Sequence, residues 1–249
     1  MGNYNNFSHF YDFLTYDVDY KGRGEYLLKI FEKWDKKPTL MLDFACGTGN
    51  FSVQFAKQGI DVIGVDSSEG MLAVAMDKNK GLKNRVLYLN QCGSELDLYG
   101  TVDGAVCCLD SLNHITDKNE LQKTISKISL FLEPGRLFVF DMNTPYKHKE
   151  VLGGSSYRMK KRGVECIWSN TLLEDGVTIE IELSFTYKTG LFKKGIVTEI
   201  IKEKAYTAEE ITQMLEQAGL KLEAVYGENT FDEPTENSQR NIYVARKVK

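Results

Sequence analysis

The chain has 249 residues, room for one large α/β domain or two small ones around a substantial core. Its 31 basic and 35 acidic residues leave a net charge of −4, which excludes a global electrostatic pull toward nucleic acid or membrane and leaves only local patches. No apolar run approaches the ~18 residues of a membrane span, and "MGNYNNFSHFYDF" lacks the basic start and apolar core of a signal peptide. The expectation is a soluble, cytoplasmic chain with no membrane partner.

In chain order, residues 22 to 36 place Tyr26, Leu27, Ile30, Phe31 and Trp34 on one stripe, which predicts an amphipathic helix. "TLMLDFA" reads as a first strand, "NFSVQFAKQG" as a helix closed by Gly59, "DVIGVD" as a second strand and "SSEGMLAVAMDKNKG" as a helix ending at Gly81. "RVLYLNQ" and "VDGAVCCL" follow as strands. Leu121, Ile125, Ile128 and Leu132 then share a helical face, and "LFVFDMN" makes a fifth strand. Strands apolar on both faces, alternating with helices, indicate a parallel sheet covered on both sides. Residues 157 to 204 alternate instead with period two, broken by "EDG" and "KTG", and read as antiparallel strands. "TAEEITQMLEQAG" opens with a capping box, Thr207 and Glu210, before two last strand-like runs. The division expected is residues 1–38 as an amino-terminal lid and helix, 39–145 with 206–249 as a ligand-binding α/β domain, and 146–205 as an antiparallel insertion. Five cysteines at 46, 92, 107, 108 and 166, with no C-x-x-C pair, suit a reducing compartment, and three scattered histidines predict no metal site.

"LDFACGTGN", residues 42 to 50, holds the chemistry. In an open parallel sheet ligands bind beyond the carboxyl ends of the strands, where strand order reverses. Gly47 and Gly49 leave that turn bare, so a ligand can lie against backbone. A phosphate loop of the G-x-x-x-x-G-K-[ST] kind is absent, and a G-x-G-x-x-G dinucleotide fingerprint fails at Ser52. Such a turn also serves simply to pack a helix on a strand. Asp43, just before the turn, needs a cation or donors if buried. Asp66 ends the next strand and suits the two hydroxyls of a ribose, or caps the following helix.

Taken together, "LDFACGTGN", "GVDSSEGML", "AVCCLDSLNHI" and "LEPGRLFVFD" resemble the ordered motifs of class I S-adenosylmethionine-dependent methyltransferases. "FYDFLTYDVDYKGRGEYL" resembles the lid of small-molecule members, sugar N-methyltransferases among them. The resemblance covers nearly the whole chain and implies a Rossmann-like, seven-stranded, mostly parallel sheet with helices on both faces, its last two strands a reversed hairpin, plus the antiparallel β insertion. It implies S-adenosyl-L-methionine as cofactor. The backbone of Ala45, Cys46, Gly47 and Gly49 would cradle the methionine part, Asp43 would orient the loop and the ammonium side, and Asp66 would take the ribose. Ser67 and Met71 would flank the adenine, Gln91 with its neighbour Cys92 would stand where the family usually has an Asp for the adenine amino group, and Leu109 would pack near adenosine and sulfur.

Methyl transfer is an in-line displacement at carbon, so the protein positions the nucleophile and removes its proton. His114 is the candidate base, a surface or helix-cap histidine being the alternative; Asp110 and Asn113 would bind substrate or cap the next helix. Tyr11, Tyr16 and Tyr20 cluster with Arg23, core packing being the alternative: as a lid, one of these tyrosines would cover the sulfonium, with Tyr11 a catalytic candidate, Tyr20 a cofactor contact and Arg23 a partner of the methionine carboxylate. The insertion, with Trp168, Phe185 and Tyr187, would form the substrate wall or a contact between two copies, leaving a monomer or a homodimer. Three functions remain in view: methylation of a small molecule at an amine or hydroxyl, methylation of RNA through the basic "YRMKKRG" run at 157 to 163, and cofactor binding without catalysis.

Overall fold

A computed structural model of the chain describes residues 8–161, 163–189 and 193–248. Arg162 of the basic run and Gly190 of the "KTG" turn lie outside the described residues, as does the start of the chain before Ser8.

A seven-stranded sheet is built from β1 (Leu40–Phe44), β2 (Asp61–Asp66), β3 (Leu87–Asn90), β4 (Gly104–Cys107), β5 (Leu137–Asn143), β10 (Leu220–Gly227) and β11 (Arg240–Lys247). Its order is β10-β11-β5-β4-β1-β2-β3; β1 to β5 run parallel, and β11 runs antiparallel to both β5 and β10. The expected reversed hairpin is thus present, with β11 inserted beside β5. Because side chains alternate along a strand, β1 and β4 feed two separate cores. Leu42, Ala105 and Cys107 pack with α5 (Lys118–Phe131) and α6 (Ala208–Gln217). Met41, Val106 and Cys108 pack with α2 (Tyr20–Trp34) and α3 (Asn50–Lys57) on the other face. The α6 capping box closes as expected, Thr207 accepting from the Glu210 amide while the Glu210 side chain accepts from the Thr207 amide.

The switch point falls at β1, which has β2 on one side and β4 on the other. The second helix of the parallel unit is α4 (Glu69–Lys78), and Ser68, not Asp66, is its N-cap, accepting from the Met71 amide. Strands β6 (Ser156–Lys161), β7 (Val164–Leu172), β8 (Thr178–Lys188) and β9 (Lys194–Lys204) form a separate antiparallel sheet. Its inner face, with Ile179, Ile181, Leu183 and Phe185, receives a short amino-terminal helix, α1 (Ser8–Leu14): Phe10 stacks on Phe185 with ring centroids 4.7 Å apart.

Candidate active site

The glycine turn leaves β1 through three left-handed residues, Ala45 (φ 55°), Gly47 (φ 55°) and Gly49 (φ 74°). Asp66 fastens it: one carboxylate oxygen accepts from the Gly47 amide at 2.8 Å, the other from the Ser68 amide at 2.9 Å. Burial pushes the Asp66 carboxyl up, against these two donors and the nearby His114. The two glycines do different work. A Cβ at Gly47 would meet nothing closer than the Tyr11 ring at 3.9 Å, so this backbone is bare toward a cavity. A Cβ at Gly49 (φ 74°) would sit 2.3 Å from the Tyr88 hydroxyl and 3.0 Å from Ala75, so its bareness admits Tyr88 and α4, and it lines neither cavity described below.

Asp43 is buried behind the turn. Ser52 holds it, the hydroxyl donating at 2.5 Å with the Ser52 backbone N–H beside it, and burial pushes its carboxyl up to about 7, Ser52 opposing and the charge of Asp66 adding to the rise.

Two cavities meet over this turn. The larger, about 370 Å³, is lined by Ala45, Gly47, Asp66, Ser67, Met71, Gln91 and Leu109, and also by Ser111, His114 and by Ile200, Ile201 and Lys202 of β9. The smaller is lined by Tyr20, Asp43, Cys46, Thr48 and Asn50; Tyr11, Ala45 and Leu109 border both. The Tyr20 hydroxyl is buried with no hydrogen-bond partner among the described residues.

Several residues expected at the site are engaged in other ways. Arg23 pairs with Glu228 at 2.6 Å and Cys92 lines neither cavity. Gln91 lines the larger cavity, yet its amide is closed on Asp97, donating to the carbonyl and accepting from the N–H, both at 3.0 Å. Tyr16 is more than half exposed beneath the Lys161 ammonium. Trp168, Phe185 and Tyr187 do not wall the cavity; Phe185 and Tyr187 hold α1 through Phe10, and β9 supplies the wall.

The amino-terminal helix α1 is anchored by a residue that the sequence does not single out. Asp12 of α1 accepts from Thr48 Oγ1 at 2.7 Å and Asn50 Nδ2 at 3.0 Å, and pairs with Lys78 at 2.7 Å. Although burial opposes it, these partners hold the Asp12 carboxyl below its ordinary range.

At the other end, β4 leads into two successive left-handed residues, Leu109 (φ 56°) and Asp110 (φ 52°). Asp141 of β5 stabilises this costly turn by accepting from both amides, at 2.8 and 2.5 Å. Arg240 of β11 bonds Asp141 at 3.1 Å and Asp110 at 2.6 Å. Burial raises the Asp141 carboxyl, whereas Asp110, the more exposed of the two, is held low by Arg240, Lys147 and His114. Neither Asp110 nor Asn113 caps the next helix; Asp117 does, and Asn113 fastens to the backbone of Asn143 and Lys204. The turn of Ser111–His114 that follows delivers His114 to the cavity, with Nδ1 buried and unpartnered among the described residues. Glu203 of β9 lies 3.7 Å from its Nε2. Donor atoms of Asp110, His114 and Glu203 fall within 4.8 Å of one another, but the Arg240 guanidinium on Asp110 repels a cation from that corner.

Residues 41–135 match the family model described as a methyltransferase domain. YqeM of Bacillus subtilis, named as a methyltransferase, is 30% identical over 210 residues, covering 84% of each chain. The crystal structure of an S-adenosylmethionine-dependent methyltransferase from Clostridium acetobutylicum superimposes with a TM-score of 0.85 at 30% identity, covering 98% of both chains. The fold is shared as well with the sugar N-methyltransferase KedS8 of Streptoalloteichus, at a TM-score of 0.80 and 18% identity over 100% of this chain and 94% of that one. With a bare glycine turn, a carboxylate at the end of β2 and a cavity closed by an amino-terminal helix, this chain belongs to the class I S-adenosylmethionine-dependent methyltransferases.

Proposed function

We propose that this enzyme methylates a small molecule at an amine or hydroxyl, with His114 taking the proton. The observation that carries the reading is that His114 lines the same cavity as Gly47 and Asp66, together with Tyr11 of α1 and Ile200, Ile201 and Lys202 of β9. A cavity of about 370 Å³ has the size of a small-ligand site. The basic run offers little to RNA: Arg158 pairs with Glu165, and the Lys161 ammonium lies over the Tyr16 ring. KedS8, named as a sugar N-methyltransferase, shares the fold and supports an amine acceptor.

The residues fit the cofactor. The smaller cavity, about 20 Å³, has room for one ammonium-sized group beside the buried Asp43 carboxyl and the unpartnered Tyr20 hydroxyl, and a ribose finds Asp66 in the larger. When bound, S-adenosylmethionine supplies an activated methyl group on a sulfonium, so the protein need not create the leaving group. The chain's own part is to exclude water under α1, to hold the acceptor in line beneath Tyr11, and to receive a proton at His114. A methyl-transfer screen with labelled cofactor over amines, hydroxyls and thiols tests this. Label transferred to a small amine or hydroxyl is the expected result; transfer to RNA alone, or to nothing, overturns it.

A further inference from the structure

Glu203 is a buried acid that neither the cofactor nor the sheet explains. It stands on β9 in phase with the inward-facing Val197 and Ile201, and its side chain is 6% exposed. One oxygen, Oε2, accepts from Asn143 Nδ2 at 3.0 Å and lies 3.6 Å from Nε2 of His148. Asn143 is not free to move, because the same Nδ2 donates to Asp110 at 2.9 Å and its Oδ1 accepts from Lys147 at 2.8 Å. His148 is fully buried, with Nδ1 2.8 Å from the Val177 carbonyl, so that nitrogen carries hydrogen and the ring is fixed. The other oxygen, Oε1, has no hydrogen-bond donor among the described residues and faces His114 Nε2 at 3.7 Å.

We propose that Glu203 is a positioning residue of the methyl-transfer site, orienting the His114 ring and compensating the charge that the ring takes up with the acceptor's proton. This rests on His114 being the base. For an amine, the nitrogen lone pair forms the new bond to the methyl carbon as the carbon–sulfur pair departs with sulfur. Positive charge passes to the methylated nitrogen, and one N–H proton then moves to the imidazole. The charge that enters on sulfur therefore ends on His114, beside a buried carboxylate. A separation of 3.7 Å exceeds a hydrogen bond, and such contacts tighten in the reacting complex. The other charges facing the ring are already engaged: Asp110 with Arg240 and Asn143, and Asp66 with the amides of Gly47 and Ser68.

The test follows the three histidine rings, His9, His114 and His148, by NMR titration of the full chain saturated with S-adenosylhomocysteine, each ring assigned by its own substitution. Removing an opposite charge at this distance in Glu203→Gln should lower the His114 midpoint by about one pH unit or more, leaving His9 unmoved. Glu203→Asp keeps the charge and should restore part of the shift, and it carries the comparison if the Gln variant does not fold. An unmoved His114 midpoint in a folded variant overturns the proposal. With the acceptor found by the screen, kcat should fall and its acidic limb move to lower pH, while KM and cofactor affinity change little. Absence of methyl transfer to any acceptor would count against His114 as base and leave the ring titration to decide the Glu203 contact by itself.

Discussion

Asp43→Asn should make the protein more stable at high pH and weaken its grip on the cofactor. Asp43 is buried against Ser52, and burial raises its carboxyl to about 7. Lifting it there from its ordinary ~3.9 means that the ionised form costs the fold about 4 kcal/mol above pH 7. The sign follows from the proton count. Between about pH 4 and 7 the folded state holds a proton that the unfolded state has lost, so this stability is complete below pH 4 and disappears as pH rises through 7. Asparagine does not titrate; its carbonyl keeps the Ser52 bond, and its unpaired amide hydrogens cost about 1–3 kcal/mol. The variant should thus gain about 1–3 kcal/mol over the wild type at pH 8 and fall below it at pH 4. Urea unfolding of both proteins across that range measures the difference, and a difference independent of pH would refute the argument. Calorimetry supplies a second reading: a cationic arm binding the carboxylate should expel most of one proton from the wild type at pH 6.5, and none from the variant.

The other predictions concern the rim of the site. Asp66→Ala removes the acceptor of two loop amides along with the ribose partner, and should weaken S-adenosylhomocysteine by about 2–4 kcal/mol while the chain stays folded; an unchanged dissociation constant would reduce Asp66 to a loop tie. His114→Ala should lower turnover ~10²-fold with cofactor affinity near wild type, and a loss of only a few-fold with the pH limb retained would point to positioning by Tyr11. Asp12→Ala frees α1 from Thr48, Asn50 and Lys78, and stopped-flow should show cofactor dissociating roughly tenfold faster, about 1–2 kcal/mol. Gly49→Ala should destabilise the fold by well over ~1 kcal/mol, because its Cβ would collide with Tyr88, whereas Gly47→Ala should cost less stability and more cofactor affinity.

Most of the cofactor half was legible because it rests on local signals. A strand, a bare turn and a carboxylate at the end of the next strand follow one another between Leu40 and Asp66, and the fold brings Ala45, Gly47, Asp66, Ser67 and Met71 to one cavity. The pattern could not divide the labour of the two glycines, since what crowds Gly49 is Tyr88, a residue from β3. The acceptor half depends on strand phase and long-range pairing. In "EIIKEK" Glu203 looks like a solvent-facing charge between two lysines, yet it is in phase with Val197 and Ile201, whose partners across the ladder are Phe185 and Ile181. Reading that phase would have placed it inward. The aromatic residues of the insertion drew attention as a substrate wall because they are large; the structure uses Phe185 and Tyr187 to seat α1.

The placement of Arg240 bears on how the site comes into being during synthesis. The turn that carries His114 is held by Asp141, and Asp110 and Asp141 share the guanidinium of Arg240 at the start of β11. That strand follows all the other described strands in sequence, yet it is inserted between β10 and β5. Until it emerges from the ribosome, two carboxylates at the heart of the sheet lack their countercharge, and desolvating them alone is costly. The parallel strands can therefore assemble early without creating a finished reaction centre, and the arrival of β11 completes the sheet and brings those carboxylates their shared countercharge in one event.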